Sequence, residues 1–117
     1  MKVSIITISY NSVNTIQGTL ESVLNQTYKN IEHIVIDGNS NDNTVSICKN
    51  YSHLFKIISE KDKGVYDAFN KGLKIASGDI VGFLNSDDIF YNIDSLKTIV
   101  DEFDTNTDAV FGNLKFY

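Results

Sequence analysis

The sequence of 117 residues contains no arginine, and cysteine occurs only once. Its ten basic residues are all lysines and are outnumbered by 15 acidic residues, so the formal net charge is -5. DNA and RNA binding depends on clustered positive charge, and this balance therefore argues against a nucleic-acid partner. The lone Cys48 excludes an intramolecular disulfide, and no cysteine and histidine residues have the spacing of a zinc site. The composition favours a protein of a reducing compartment.

Long hydrophobic runs and secretion signals are also missing. The apolar stretch at residues 3–8 is too short for a signal peptide and far below the roughly 20 residues that span a bilayer. We therefore expect a cytoplasmic protein, and the sequence leaves open a peripheral association with the inner face of the cell membrane. Hydrophobic residues make up 42% of the chain, which is enough for one domain with a buried core.

Short hydrophobic runs alternate along the chain with segments of helical periodicity. Residues 3–8, 31–36, 54–58, 80–84 and 109–111 form runs that are typical of strands buried on both faces. Between them, apolar residues recur every three or four positions, as amphipathic helices require. The order βαβαβαβαβ predicts an α/β fold, a Rossmann-like, doubly wound and mostly parallel sheet covered by helices in three αβα layers.

Loop residues predict where the helices begin and end. Asn11 or Ser12 is expected to cap the first helix, and Asp42 the second. Gly78 stands where a left-handed residue would end the third helix. The apolar residues 112–117 leave two interpretations open, a chain cut from a longer protein or a closing segment that packs locally.

Acidic residues follow three of the predicted strands. Asp37 comes after the second strand, Glu60 and Asp62 come after the third, and the pair Asp87 and Asp88 comes after the fourth. Ligands of open α/β sheets bind beyond the carboxyl ends of the strands, so these carboxylates are expected at the ligand-binding edge. A single Asp in a loop is more often a turn or cap residue. We interpret Asp87 and Asp88 functionally because both directly follow a buried strand.

A crevice with this charge needs a cation to hold a phosphate group. The sequence has no GxGxxG fingerprint and no glycine-rich phosphate loop ending in Lys-Ser or Lys-Thr. A Mn²⁺ or Mg²⁺ ion bound by Asp87, Asp88 and diphosphate oxygens would supply the missing positive charge. The ion would also act as a Lewis acid for a diphosphate leaving group.

A second class of function fits the same alternation of elements. Signalling receiver domains, which are phosphorylated on Asp, have a similar length and fold. Paired acids would then be expected after the first strand, where this chain has Ser9-Tyr10-Asn11. The position of the acidic pair after the fourth strand argues against this alternative.

Three segments of the sequence resemble family 2 glycosyltransferases of the GT-A fold. They are VSIITISYNS at residues 3–12, IVIDGNSNDNT at 34–44 and EKDKGVYDAFNKGLKIASGDIVGFLNSDD at 60–88. The pairing of DKGVYDAFNKG with LNSDD is similar to the bacterial polysaccharide-assembly branch of colanic-acid type. The resemblance implies that residues 1–117 are the nucleotide-sugar-binding part of a GT-A domain, truncated at its C-terminus.

The resemblance also implies which residues contact the nucleotide-sugar donor. Asp37 would accept a hydrogen bond from the base, which suits the imide N–H of uracil, and the turn 62–64 would lie against the base and ribose. The first acid of the family's DxD motif is replaced here by Asn85, which would contact ribose, while Asp87 or Asp88 would bind the metal and diphosphate. The full set implied for the donor is Thr7, Ser9, Tyr10, Asp37, Asp62, Lys63, Gly64, Asn70, Asn85, Ser86 and Asp87.

The activity that the resemblance implies is metal-assisted transfer of a sugar, with inversion, from a UDP-sugar to a saccharide or lipid-linked saccharide. In the family, the acceptor site and the general base lie in a C-terminal half that these residues do not contain. No catalytic residue is therefore assigned here, and this chain is expected to bind donor without turnover. A sheet edge exposed by truncation would favour a homo-oligomer.

Overall fold

The computed structural model describes residues 1–103 and the backbone of residues 109–111. Over these ranges, five strands alternate with four helices in the predicted order. The elements are β1 (Val3–Ser9), α1 (Ile16–Leu24), β2 (Ile31–Asp37), α2 (Thr44–Cys48), β3 (Leu54–Ser59), α3 (Val65–Ile75), β4 (Ile80–Phe83), α4 (Ser95–Glu102) and β5 (Ala109–Phe111). Residues 112–117, for which two interpretations were open, lie outside the described residues.

All strands run parallel in one sheet of order β3-β2-β1-β4-β5. The chain moves outward from β1 to β3 and then crosses back to β4 on the other side of β1. The predicted doubly wound α/β sheet is confirmed. The carboxyl ends of β1 and β4 flank the point where the strand order reverses, which is where such sheets form a ligand-binding crevice.

Helices cover both faces of this sheet. Successive strand residues point to opposite faces, so Ile5 and Ile6 belong to different hydrophobic clusters. Val23 of α1 and Leu96 of α4 pack on the Ile5 face, while Ala68 of α3 packs on the Ile6 face. No helix in the described ranges has the length and apolar character needed to cross a membrane.

The beginnings and ends of the helices differ in part from expectation. Thr15, rather than Asn11 or Ser12, is the N-cap of α1, and its side chain makes no capping bond. The N-cap of α2 is Asn43 rather than Asp42, although Asp42 Oδ1 accepts a hydrogen bond from the Thr44 N–H at 3.0 Å at the start of this helix.

The prediction that Gly78 ends a helix in a left-handed conformation is wrong. The third helix ends earlier, at Ile75, and Ala76 has extended backbone with φ -60° and ψ 132°. A Cβ at Gly78 would lie 2.6 Å from Ser4 Oγ and 2.7 Å from Ser4 N. Close packing of the α3–β4 loop on β1 therefore explains this glycine.

Candidate functional site

Two cavities lie at the carboxyl edge of the sheet and share Tyr10. Their volumes are about 770 Å³ and about 430 Å³. Tyr10 follows β1, is 59% exposed and lines both cavities. The larger cavity is lined by Ile8, Tyr10, Asn11, Ser12, Asn14, Thr15, Val65, Phe69, Phe83, Asn85, Ser86 and Asp87. The smaller cavity is lined by Tyr10, Gly38, Asn39, Asn41, Lys61 and Asp62.

The loop after β4 is a tight turn that separates the two adjacent acids. The Asp88 N–H donates a hydrogen bond to the Asn85 carbonyl at 2.9 Å. Asp87 lies exposed at the corner of this turn and lines the larger cavity, whereas Asp88 is only 6% exposed. The Ser86 hydroxyl lies 2.6 Å from the Ser12 hydroxyl, which ties this loop to the loop after β1. The structure therefore brings Asn85, Ser86 and Asp87 into one site with Tyr10.

The carboxylates of this edge fit a shared metal ion better than a metal held by protein alone. Within residues 1–103, no three His, Cys, Asp or Glu side chains are grouped as metal ligands. Asp87 is the single charged side chain among the described residues that line the larger cavity. Mg²⁺ and Mn²⁺ are commonly bound through one or two carboxylates, with substrate phosphates and water completing the shell. Asp87 suits that mode of binding, and the metal role of Asp87 and Asp88 stays a prediction.

Asp37 is a buried brace beneath the site. Its Oδ1 accepts hydrogen bonds from Ser9 Oγ at 2.8 Å and from Ser40 Oγ at 2.6 Å. Its Oδ2 accepts from the Ser40 N–H at 2.8 Å and from Ser59 Oγ at 2.9 Å. Two lone pairs on each oxygen make four acceptor positions, and all four are filled. The hydrogen bond to a base stays a prediction, and it requires one of these donors to move away.

Thr7 and Ser9 are also inside the protein. Both are at most 1% exposed. Thr7 Oγ1 lies 2.8 Å from Nε2 of His33, whose Nδ1 lies 3.2 Å from Nε2 of His53. Burial, reinforced by the neighbouring His53, lowers the pKa of His33 to about 3, so this histidine is neutral at physiological pH. The predicted contacts of Thr7 and Ser9 with a nucleoside are not tested by these bonds.

The β3–α3 loop brings Asp62 to the smaller cavity. Asp62 Oδ1 accepts a hydrogen bond from the Gly64 N–H at 3.1 Å. Gly64 has φ 113° and ψ -174°, a region that is open almost only to glycine, and a Cβ there would meet nothing within 4 Å. Its backbone conformation, rather than close packing, therefore explains this glycine. Lys63, Gly64 and Asn70 are exposed and lie outside the described linings of both cavities.

Sequence reasoning missed the polar residues that follow β1. Asn11, Asn14 and Thr15 line the larger cavity. Asn11 also joins two loops, since its N–H donates to Ser40 Oγ and its Oδ1 accepts from the Asn41 N–H, both at 2.8 Å. The signal that identifies them is a polar run directly after a buried strand at the ligand-binding edge, a run in which the cap prediction accounts for Asn11 or Ser12 alone.

Residues 4–117 match the family model described as Glycosyl transferase family 2. The chain belongs to glycosyltransferase family 2. An uncharacterized glycosyltransferase of Mycobacterium tuberculosis is 45% identical over 101 residues, which are 85% of this chain and 38% of that protein. Escherichia coli WfaP, a UDP-Glc:alpha-D-GlcNAc-diphosphoundecaprenol beta-1,3-glucosyltransferase, is 47% identical over 88 residues, or 74% of this chain and 35% of WfaP. The chain thus spans little more than a third of the length of these relatives.

Solved glycosyltransferase structures share the fold. Staphylococcus aureus TarS 1-349 in complex with UDP-GlcNAc has a TM-score of 0.79 and 33% identity, with 86% of this chain and 30% of that chain covered. The mannosyltransferase PcManGT of Pyrobaculum calidifontis, in complex with GDP-Man and Mn²⁺, has a TM-score of 0.77 and 27% identity, with coverages of 85% and 31%. The resemblance to family 2 and the α/β fold are confirmed, and the receiver alternative is not favoured.

Proposed function

We propose that this chain binds the nucleoside diphosphate sugar donor of a family 2 glycosyltransferase, and that the donor is a UDP-sugar. The observation that carries the proposal is that Tyr10 and Asp87 line one cavity at the switch point of the sheet. The exposed ring of Tyr10 offers a stacking surface for a base between the two cavities. The names of WfaP and of the TarS complex, which contain UDP-Glc and UDP-GlcNAc, support uridine as the nucleoside.

The charge of the larger cavity supports a divalent cation as part of the bound donor. A diphosphate carries negative charge, and the described lining offers it Asp87 and no lysine. Mn²⁺ or Mg²⁺ held by Asp87 would neutralise the diphosphate and stabilise it as a leaving group. The Mn²⁺ in the PcManGT complex supports this proposal.

For the whole protein we propose transfer to a saccharide or lipid-linked saccharide acceptor at a cytoplasmic location. The name of WfaP, which specifies a diphosphoundecaprenol acceptor, supports the acceptor class. An acceptor hydroxyl would attack the anomeric carbon from the face opposite the breaking bond to the diphosphate, so the configuration inverts, and a general base outside these residues would take the proton. On this proposal the 117-residue chain binds donor without turnover. Peripheral membrane association and self-association stay predictions.

Calorimetric titration with UDP tests the proposal. UDP should bind at least about tenfold more weakly when a chelator replaces Mn²⁺, and Asp87→Asn should remove this dependence because it removes the carboxylate ligand. Asp101→Asn is the matched control, since it removes the same charge from an exposed residue of α4 that pairs with Lys97. Equal UDP binding with and without chelator would refute metal assistance. GDP binding as tightly as UDP would refute the choice of uridine.

A further inference from the structure

A row of polar side chains on α1 and the turn after it faces the interior of the protein. Thr19 and Ser22 lie in α1 and Gln26 follows its end, at spacings of three and four residues that share one side of a helix. Thr19 is 0% exposed and Gln26 is 1% exposed. An apolar stripe is expected on the core-facing side of such a helix, so these polar residues need partners. Ser22 Oγ donates to the Thr19 carbonyl and Gln26 Nε2 to the Ser22 carbonyl. Outside α1, these side chains form hydrogen bonds with residues 85–96, the segment that follows β4.

Gln26 and Ser22 form hydrogen bonds with backbone groups in residues 90–96, the part of this segment that lies nearest to α4. Gln26 Nε2 donates a hydrogen bond to the Asn92 carbonyl at 2.9 Å, and its Oε1 accepts one from the Leu96 N–H at 3.0 Å. Ser22 Oγ accepts a hydrogen bond from the Phe90 N–H at 3.2 Å. These contacts fix the path of the chain toward α4, beyond the cavity.

Thr19 contacts the turn at residues 85–88, which contains Asp87. Its Oγ1 lies 2.6 Å from the Asp88 carbonyl, 2.9 Å from the Ser86 carbonyl and 3.5 Å from the Asn85 carbonyl. A threonine hydroxyl has a single proton to donate, so three carbonyl oxygens of one turn converge on one donor. Asp87 lies between two of these carbonyls, and its exposed side chain lines the larger cavity.

We infer that Thr19 is a positioning residue for Asp87, and that the affinity of the site for a divalent cation with a diphosphate depends on the Thr19 hydroxyl. This inference rests on the donor site proposed above. Without the hydroxyl, three carbonyl dipoles would face each other with no proton between them, and the turn would relax by moving them apart. A displaced turn carries Asp87 away from the position that the cation and diphosphate share.

The Thr19→Val substitution keeps the shape of the side chain and removes the hydroxyl. UDP binding in the presence of Mn²⁺ should weaken by about 10- to 100-fold, as is typical when a partner that orients a metal ligand is lost. Uridine carries no phosphate, so its affinity should stay unchanged. Thr19→Ser should restore binding, because serine keeps the hydroxyl.

Ser22→Ala is the matched control for this substitution. It removes another hydroxyl of the same row, one that donates to the Thr19 carbonyl and accepts from the Phe90 N–H but makes no bond to the turn at 85–88. We expect Ser22→Ala to lower the melting temperature, because it takes the acceptor from the Phe90 N–H, and to leave Mn²⁺-dependent UDP binding within twofold of the unsubstituted protein.

The possible outcomes separate this inference from the proposed function. If the unsubstituted protein binds UDP equally well with Mn²⁺ and with chelator, the metal assistance in the proposed function is refuted and the role of Thr19 fails with it. If that protein depends on Mn²⁺ and Thr19→Val binds UDP equally well, the role of Thr19 alone is overturned. Loss of uridine affinity in Thr19→Val, or equal loss of UDP affinity in Ser22→Ala, would also overturn it. If the valine variant does not fold, Thr19→Ala and Thr19→Ser take its place. We expect Thr19→Ala to lose the Mn²⁺-dependent affinity for UDP and Thr19→Ser to keep it. Equal affinities of these two variants would overturn the inference.

Discussion

Asp37→Ala would remove the carboxylate that joins the ends of β1, β2 and β3. Four hydrogen bonds end on Asp37, from Ser9, Ser59 and twice from Ser40. Ser59 is exposed and can turn to water, whereas Ser9 is 1% exposed and the Ser40 N–H is partly buried. A donor left buried without an acceptor costs about 1–3 kcal/mol. The two less accessible donors together make the substitution cost about 2–6 kcal/mol, a large part of the roughly 5–15 kcal/mol that stabilises a typical domain.

Asp37→Asn removes the negative charge of this side chain but keeps a hydrogen-bonding group at both oxygen positions, so it is the comparison for Asp37→Ala. The amide oxygen can take the place of Oδ2 and accept from the Ser40 N–H, while the amide NH₂ donates to the hydroxyls of Ser9 and Ser40. A serine hydroxyl rotates to accept as readily as it donates, so the network survives without the negative charge. Asp37→Asn should therefore lower the free energy of unfolding by only about 1 kcal/mol, which is the difference between charged and neutral hydrogen bonds.

Urea unfolding followed by circular dichroism measures both variants. The free energy of unfolding should be highest for the unsubstituted protein, lower for Asp37→Asn, and at least about 1 kcal/mol lower again for Asp37→Ala. An alanine variant as stable as the asparagine variant would show that the four bonds do not brace the sheet. UDP titration of the stable asparagine variant would then report on the predicted base contact separately from stability.

Four further substitutions or conditions give distinct expectations. Lowering the pH from 7 to 5 should reduce the free energy of unfolding by about 2 kcal/mol. The pKa of His33 is about 3 in the folded protein and about 6.5 in the unfolded chain, so only the unfolded chain takes up a proton over this range. Urea unfolding that gives the same free energy at pH 7 and pH 5 would contradict this. Gly72→Ala should lower stability by about 1–3 kcal/mol, since its Cβ would lie 2.6 Å from an Ile6 methyl. Gly18→Ala, with its nearest neighbour 3.8 Å away, should raise stability by about 0.5–1 kcal/mol, and equal melting temperatures for these two variants would refute the packing argument. Gly64→Ala should cost about 1–3 kcal/mol at φ 113°, which a melting temperature unchanged by the substitution would disprove.

The fold could be predicted because hydrophobic periodicity reports directly on burial. The β1 run has five of its seven residues buried in succession, as a strand covered on both faces must, and the alternation with helical periods then restricts the topology to a doubly wound sheet. The reason for Gly78 was not predictable, since it depends on how the α3–β4 loop approaches Ser4, a residue 74 positions away.

From strand ends and charge alone, the site could be predicted only as an edge of the sheet. The resemblance to family 2 added individual residues, of which Tyr10, Asn85, Ser86 and Asp87 line the larger cavity. Asp87 and Asp88 are neighbours with the same side chain, and the sequence offers no distinction between them. The turn that exposes one and buries the other depends on the backbone bond from Asp88 to Asn85 and on the position of Thr19. Thr19 is a polar residue within the apolar pattern of α1. The sequence does not explain it, because its partners lie in the segment after β4, which contacts α1 only in the folded protein.

Asp37 and Asp87 lie at the same edge of the sheet but differ in their surroundings, because the number of protein hydrogen-bond donors near each carboxylate differs. Asp37 meets four donors from its own chain and is 0% exposed, so its charge is satisfied within the protein. Asp87 lies exposed in a cavity whose described lining contains no cation, so its charge is available to a metal ion from solution. Stability and binding should therefore respond separately. Asp87→Asn is expected to leave the free energy of unfolding within about 0.5 kcal/mol of the unsubstituted protein while it removes Mn²⁺-dependent UDP binding, and a large loss of stability in this variant would show that Asp87 also braces the fold.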